Sequence, residues 1–185
     1  MRGLRGATLT HCGRMDLTPY IRDIPDFPQP GILFRDITPL LGEPAAYNAA
    51  LDEMAAWARQ REPTAVIGIE SRGFIFGMPV AVRLGLPFVP VRKPGKLPAA
   101  RMSIEFSLEY GQSQLDIHAD ALSRGDRALV VDDVLATGGT AQAACKLAEL
   151  LQAEVCGVLT LIELTPLGAR QRLDAYEVHS LIRYD

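Results

Sequence analysis

ALVVDDVLATGGT, Ala128 to Thr140, passes from apolar β-branched residues through two adjacent acids into a loop of small residues. Val130 and Val131 suit a strand buried between two helical layers. Asp132 and Asp133 then fall at the carboxyl end of that strand, where open α/β sheets bind their ligands. Ala136, Thr137, Gly138, Gly139 and Thr140 lead into a helical pattern from Ala141 to Gln152. The first N–H groups of a helix point outward and carry partial positive charge, so this loop predicts an anion site. Its glycines allow positive φ and close approach of backbone to the anion.

The loop is not a Walker loop, because no Lys follows Gly139. Nor does it fit Gly-x-Gly-x-x-Gly. An ionised carboxylate only accepts hydrogen bonds, so two of them suit a pair of hydroxyls. Hydroxyls at one end and a phosphate at the other describe a ribose 5-phosphate.

Outward from this run, apolar stretches predict strands over residues 65–70, 87–91, 128–132, 154–161 and 178–182. Helical spacing runs over 47–59, 73–84 and 139–152, with Ala50, Leu51, Met54 and Trp57 on one face of the first. Strands alternating with helices predict an α/β fold with a doubly wound, mainly parallel sheet. Right-handed crossovers place helices on both faces. Two segments break the alternation. Residues 16–44 hold Pro25, Pro28, Pro30, Gly31 and Pro39, which rule out one long helix. Residues 98–120 alternate, with Met102, Ile104, Phe106, Leu108 and Tyr110 sharing one parity. That pattern predicts a hairpin with one buried face, turning near Gly111. Both segments are expected over the ligand edge of the sheet, one as a small N-terminal hood and one as a flexible flap.

A chain of 185 residues suits a single domain, here residues 16–185. The first fifteen residues, basic and Gly-rich at their start, lack the apolar core of a signal peptide and are expected to be a disordered extension, with Met15 a second candidate start. Apolar content of 48% and charged content of 22% are those of a globular chain, and a net charge of −3 disfavours nucleic acid as a partner. No apolar run reaches 18 residues, so no membrane span is predicted. Cys12, Cys145 and Cys156 give neither a disulfide framework nor a metal cluster, and His11, His118 and His179 show no metal spacing. A cytoplasmic, reducing compartment fits that usage.

From Ser71 to Ile104 there is no acid, yet Arg72, Arg83, Arg92, Lys93, Lys96 and Arg101 lie there. A polyanionic ligand accounts for such a stretch. GIESRGF (68–74) repeats the strand, polar loop, helix order and offers Arg72 as a fork for phosphate oxygens. RKPGKLP (92–98) turns at Pro94 and Gly95, letting Arg92, Lys93 and Lys96 converge. Three strand ends thus carry polar groups to one edge.

The Ala128–Thr140 run resembles the signature of the phosphoribosyltransferases that use phosphoribosyl pyrophosphate. FPQPGILFRDITPLL (27–41), IESRGFIFG (69–77), RKPGKLP (92–98), SLEYG (107–111) and VVDDVLATGGT (130–140), in this order, resemble the adenine-specific branch of that family, and ELT (163–165) also fits. The resemblance implies that adenine and phosphoribosyl pyrophosphate give AMP and pyrophosphate, with Mg²⁺ as cofactor and a homodimer as the assembly. It implies that Asp132 and Asp133 hold the ribose hydroxyls and that Ala136, Thr137, Gly138, Gly139 and Thr140 hold the 5-phosphate. Arg72, Arg92, Lys93, Lys96 and Tyr110 are then pyrophosphate residues, and Leu33, Phe34, Arg35 and Val134 are base residues, with Phe34 and Val134 on opposite sides of the ring. Oxopurine enzymes of the family usually carry Asp where this chain has Ala136. The proton chemistry therefore moves to Glu109 on the flap, which is the catalytic candidate together with Arg72. No dedicated metal ligands are expected, since Mg²⁺ keeps water and substrate oxygens. Two alternatives stand beside this: a transferase for another purine base, and a regulator that senses the sugar pyrophosphate without catalysis.

Overall fold

The computed structural model describes residues 14–108 and 111–185. They fall into two compact units, one ending at Leu51 and one from Asp52 to Asp185.

In the first unit, a single 3-10 turn at Thr18–Tyr20 precedes β1 (Arg22–Ile24) and β2 (Phe34–Asp36), an antiparallel pair with Arg22 opposite Asp36. Arg22 donates from Nε (3.0 Å) and Nη2 (2.6 Å) to Asp36 Oδ2. The other Asp36 oxygen accepts from the Thr38 hydroxyl and from Thr38 N (2.9 Å), starting α1 (Thr38–Leu41). These bonds, the Thr38 hydroxyl foremost, hold the Asp36 carboxyl below its usual range. The Pro-rich loop between the strands brings Phe27 edge-on to Phe34, with ring centres 5.1 Å apart. Helix α2 (Pro44–Arg59) starts in this unit and ends in the next.

The second unit is built on five parallel strands in the order β4-β3-β7-β8-β9. They are β3 (Ala65–Ile69), β4 (Phe88–Val91), β7 (Arg127–Leu135), β8 (Glu154–Leu164) and β9 (Val178–Tyr184). Helix α3 (Gly73–Leu84) covers one face, where Gly77 lies against Gly68 and Val131. Helix α4 (Gly139–Leu150) covers the other, where Ile67, Ile69 and Val130 join Ala144, Cys145 and Leu147 in one buried cluster. The alternation of side chains along each strand makes both faces apolar, as a sheet between helical layers requires. A short α5 (Ala169–Arg172) precedes β9. Burial raises both described thiols, Cys156 to about 11 and buried Cys145 further. Among the described residues no helix is long and apolar enough to cross a membrane.

Two expectations are corrected. β7 does not end at Asp132 but runs on to Leu135. Its neighbour β3 stops pairing at Val131, while β8 continues alongside and pairs Asp132, Val134 and Leu135 with Thr160, Ile162 and Glu163. The acids therefore sit within a strand, where one neighbour has ended and the other has not. The flap strands β5 (Arg101–Leu108) and β6 (Gly111–His118) pair antiparallel as the expected hairpin. Its expected buried face is only partly so: Ile104 and Phe106 pack on the core, but Met102 is exposed. The reason is that β6 is the strand bound to the sheet, through mutual N–H···O bonds between Arg92 and Asp116 (2.9 and 2.7 Å). Ile117, opposite Met102, takes the core position instead.

Candidate active site

At the carboxyl edge of the sheet a cleft of about 440 Å³ is lined by residues 69–72, Lys93, Phe106, Ser113, Leu115 and the whole of 132–141. Three strand ends and both hairpin arms thus converge on one space. Each polar group arrives by a local rule. β3 and β7 are too apolar to end anywhere but in the core, so their first polar residues emerge together at the edge.

Adjacent residues of a strand point to opposite faces, and the two acids obey this. Asp132 lies over the start of α3. Gly73 approaches so closely that a Cβ there would stand 2.8 Å from Asp132 Oδ1 and 2.9 Å from Val131 O. Asp132 Oδ1 also accepts from Asp133 N at 2.9 Å. Asp133, 3% exposed, is on the other side, with Oδ2 3.0 Å from Arg72 Nε. That N–H is not aimed at the oxygen, so Asp133 Oδ2 has an ion-pair partner but accepts no hydrogen bond. Burial, then the charge of Asp133, pushes the Asp132 carboxyl well above the usual range. Burial raises Asp133 as well, against the pull of Arg72. The pair is a store of unfavourable charge waiting for donors or a cation.

Beyond the acids, Gly138 caps α4 at φ +82° and no side chain bonds the first helical N–H groups. A side chain at Gly138 would be strained in this left-handed conformation. The first helical bond is from Gln142 N to Gly138 O at 2.9 Å. The N–H groups of the first turn are left for an anion in the cleft.

The cationic stretch is largely balanced by acids from elsewhere in the chain. Arg72 pairs with Asp133, Arg83 with Asp52 (2.8 Å), Arg92 with Glu70 (3.2 Å) and Arg101 with Asp116 (3.2 Å). Asp116 is fully buried and also accepts from Gln114 Nε2 at 2.7 Å. Glu70 accepts from Lys93 N (3.0 Å) in addition to Arg92, and Arg92 donates to Lys96 O (3.1 Å). Arg72 and Lys93 line the cleft, whereas Arg92 and Lys96 are not among its lining residues.

All of these cleft residues fall within one matched family domain. Residues 43–182 match the phosphoribosyl transferase domain. An adenine phosphoribosyltransferase from Synechococcus sp. is 53% identical over 171 residues, covering 92% of this chain and all of the relative. This chain belongs to the adenine phosphoribosyltransferase family. It is accordingly an enzyme of the pentosyltransferase class. Among solved structures, the family member from Thermoanaerobacter pseudethanolicus superposes with a TM-score of 0.89 at 49% identity, covering 91% of this chain and 98% of that one. The Saccharomyces cerevisiae member, complexed with an imino-altritol bisphosphate and adenine, gives 0.83 at 36% identity, covering 89% and 96%.

Of the residues expected at a site of this family, Arg72, Lys93, Asp132, Asp133, Val134 and residues 136–140 share the cleft. Leu33, Phe34 and Arg35 lie in the first unit, where Leu33 is exposed and Arg35 pairs with Asp23. Glu109 and Tyr110 lie outside the described residues. The cleft also holds residues that sequence reasoning missed. Glu70 lies within the quoted 69–77 motif, and the sequence gives it no role of its own. Phe106, Ser113 and Leu115 carried only a hairpin pattern, and nothing in that pattern says which side meets a ligand.

Gly73 supplies a prediction. Gly73→Ala would drive a methyl into a backbone carbonyl and the Asp132 carboxylate, neither of which can swing away. Unfolding free energy is expected to fall by about 1–3 kcal/mol. Affinity for the sugar pyrophosphate is expected to fall with it, because Asp132 is displaced. Urea melts and steady-state kinetics check both; a variant with unchanged KM would show that the contact does not set Asp132.

Proposed function

We propose that this cleft joins adenine to the anomeric carbon of phosphoribosyl pyrophosphate, giving AMP and pyrophosphate in purine salvage. The observation that carries it is the meeting of an acid pair, an open helix N-terminus and Arg72 in one cleft. Relatives named adenine phosphoribosyltransferase, about half identical along their whole length, support it.

Asp132 and Asp133 accept from the ribose hydroxyls, and residues 136–140 donate backbone N–H groups to the 5-phosphate. Arg72, Lys93, Arg92, Lys96 and Tyr110 receive the pyrophosphate, Arg72 by exchanging part of its pairing with Asp133. Leu33, Phe34, Arg35 and Val134 serve the base, Phe34 and Val134 flanking the ring. The bond from the anomeric carbon to pyrophosphate breaks as that to adenine N9 forms, through an oxocarbenium-like transition state. Glu109 shares a proton with adenine N7, and exclusion of water by the flap keeps that acid poised.

The residues fit Mg²⁺. The acid pair offers hard oxygens, one of them buried without a hydrogen bond, and repulsion between them would be relieved by a cation. Among the described residues no three potential ligands cluster, and the ion would be carried mainly by substrate oxygens and water, with Asp132 and Asp133 as the acids facing it. When bound, Mg²⁺ neutralises the charge of the departing pyrophosphate. The same proposal includes a homodimer in a reducing cytoplasm, supported by the apolar Met78 and Val82 exposed one turn apart on α3 and by the free thiols of Cys145 and Cys156 among the described residues. Sedimentation equilibrium tests the dimer.

Ala136 selects the base, since no acid stands there to serve an oxopurine. Turnover is expected with adenine and at least about a hundredfold less with hypoxanthine, in the range set by unpaired polar groups. Comparable or preferred use of hypoxanthine would overturn the assignment.

A further inference from the structure

The segment after β8 has no place in the chemistry above, yet it is packed directly beneath the phosphate loop. A Cβ built on Gly138 would stand 3.1 Å from Ala169 O and 3.2 Å from Ala169 Cβ. Ala169 is itself buried. At the other end of α5, Gln142 in the first turn of α4 donates from Nε2 to Arg172 O at 2.9 Å. So α5 touches the loop at its glycine cap and grips the helix that follows.

What holds α5 there is an ion pair out of proportion to a four-residue helix. Arg170 donates from Nε (2.7 Å) and Nη2 (2.8 Å) to the two oxygens of Glu163, and from Nη1 to Val178 O (3.1 Å). Glu163 is 2% exposed, and Arg183 stands 3.4 Å from its second oxygen. Arg170 holds the Glu163 carboxyl below its usual range. In the sheet, Glu163 lies beside Leu135, the last residue of β7 before the loop. The bidentate pair therefore spans from the strand end where the loop leaves to the helix on which it rests. A planar fork on a buried carboxylate fixes direction as well as distance.

We propose that Glu163 and Arg170 are positioning residues for the 5-phosphate: through Ala169 and Gln142 they hold Gly138 and the α4 N-terminus at the height at which the N–H groups meet the anion. This rests on residues 136–140 being the phosphate loop. The effect is expected at one end of the substrate, since the brace acts on Gly138 and Gln142, at the 5-phosphate end of the cleft.

The test uses the full chain and isothermal titration with two probes, ribose 5-phosphate and magnesium pyrophosphate. Arg170→Met is expected to weaken ribose 5-phosphate about tenfold, the size of coupling found for residues that act through others. Magnesium pyrophosphate should change by less than about twofold, and KM for the sugar pyrophosphate should rise more than kcat falls. Should Arg170→Met fail to fold, Gln142→Met serves, removing one bond from the same brace and shifting the same ratio by about threefold. An unchanged ratio of the two affinities, whether both hold or both fall, would overturn the brace. Failure of the unaltered protein to bind ribose 5-phosphate would instead remove the phosphate-loop reading, and the brace with it.

Discussion

Glu109→Gln is expected to lower kcat by about 10²–10⁴-fold, the usual worth of a general acid or base. KM for the sugar pyrophosphate should stay within about threefold, because the amide keeps the size and hydrogen-bonding reach of the acid but cannot pass a proton. The expectation rests on the resemblance to the adenine-specific family, which implies an acid on the flap, and the acids described in the cleft have other partners. These are Glu70, Asp132 and Asp133. Glu70 is engaged by Arg92 and by Lys93 N, and the Asp pair is assigned to the ribose. Ala136 is no acid. The hairpin stands beside them: Phe106 and Ser113, paired across it, both line the cleft. Rates measured in both directions, with burst kinetics to separate chemistry from product release, check the prediction. Unchanged turnover would remove Glu109 from the mechanism.

Asp132→Asn should move stability and function in opposite directions. In the folded protein the raised carboxyl keeps its proton to a higher pH than the ordinary Asp value of 3.8. The folded state thus binds more protons than the unfolded chain above that value, and stability falls as pH rises towards the folded pKa. The amide removes this loss. At neutral pH the variant should be more stable by about 1 kcal/mol, as is common when a functional site is relieved of strain. That corresponds to about 2–4 °C in Tm for a chain of this size, with a flatter pH profile on the acid side. Affinity for the sugar pyrophosphate should fall about ten- to a hundredfold, because charge-assisted bonds to the hydroxyls are lost. Asp133→Asn should stabilise less, since Arg72 already offsets that charge. Thermal melts from pH 4 to 8 with matched titrations decide it. An Asp132→Asn protein less stable than the parent at pH 7 would show that the carboxylate is a structural asset instead.

Much of this molecule is local and therefore readable along the chain. Val130 and Val131, the acid pair and the Gly138–Gly139 loop are contiguous, so period, charge and turn chemistry announce strand, ligand edge and helix start without any distant partner. The order of such units implies the parallel sheet, because short links between strands and helices leave few other ways to bury both apolar faces. Pairing across the fold is another matter. That β7 continues past Asp132 depends on the length of β8, and that Met102 stays outside depends on which hairpin strand binds Arg92. Along the chain Arg92 reads as one cation of a cluster, while the fold sets Glu70 against it. Glu163 stands in the sequence within the ELT motif and Arg170 in no motif at all; that the Arg170 fork meets a buried Glu163 beneath the 136–140 loop follows only from β8 and α5 lying side by side. The chain specifies which groups are present and which period each segment follows. Their partners, and hence their burial and charge state, are set by contacts between residues far apart in sequence, where no local pattern records the match.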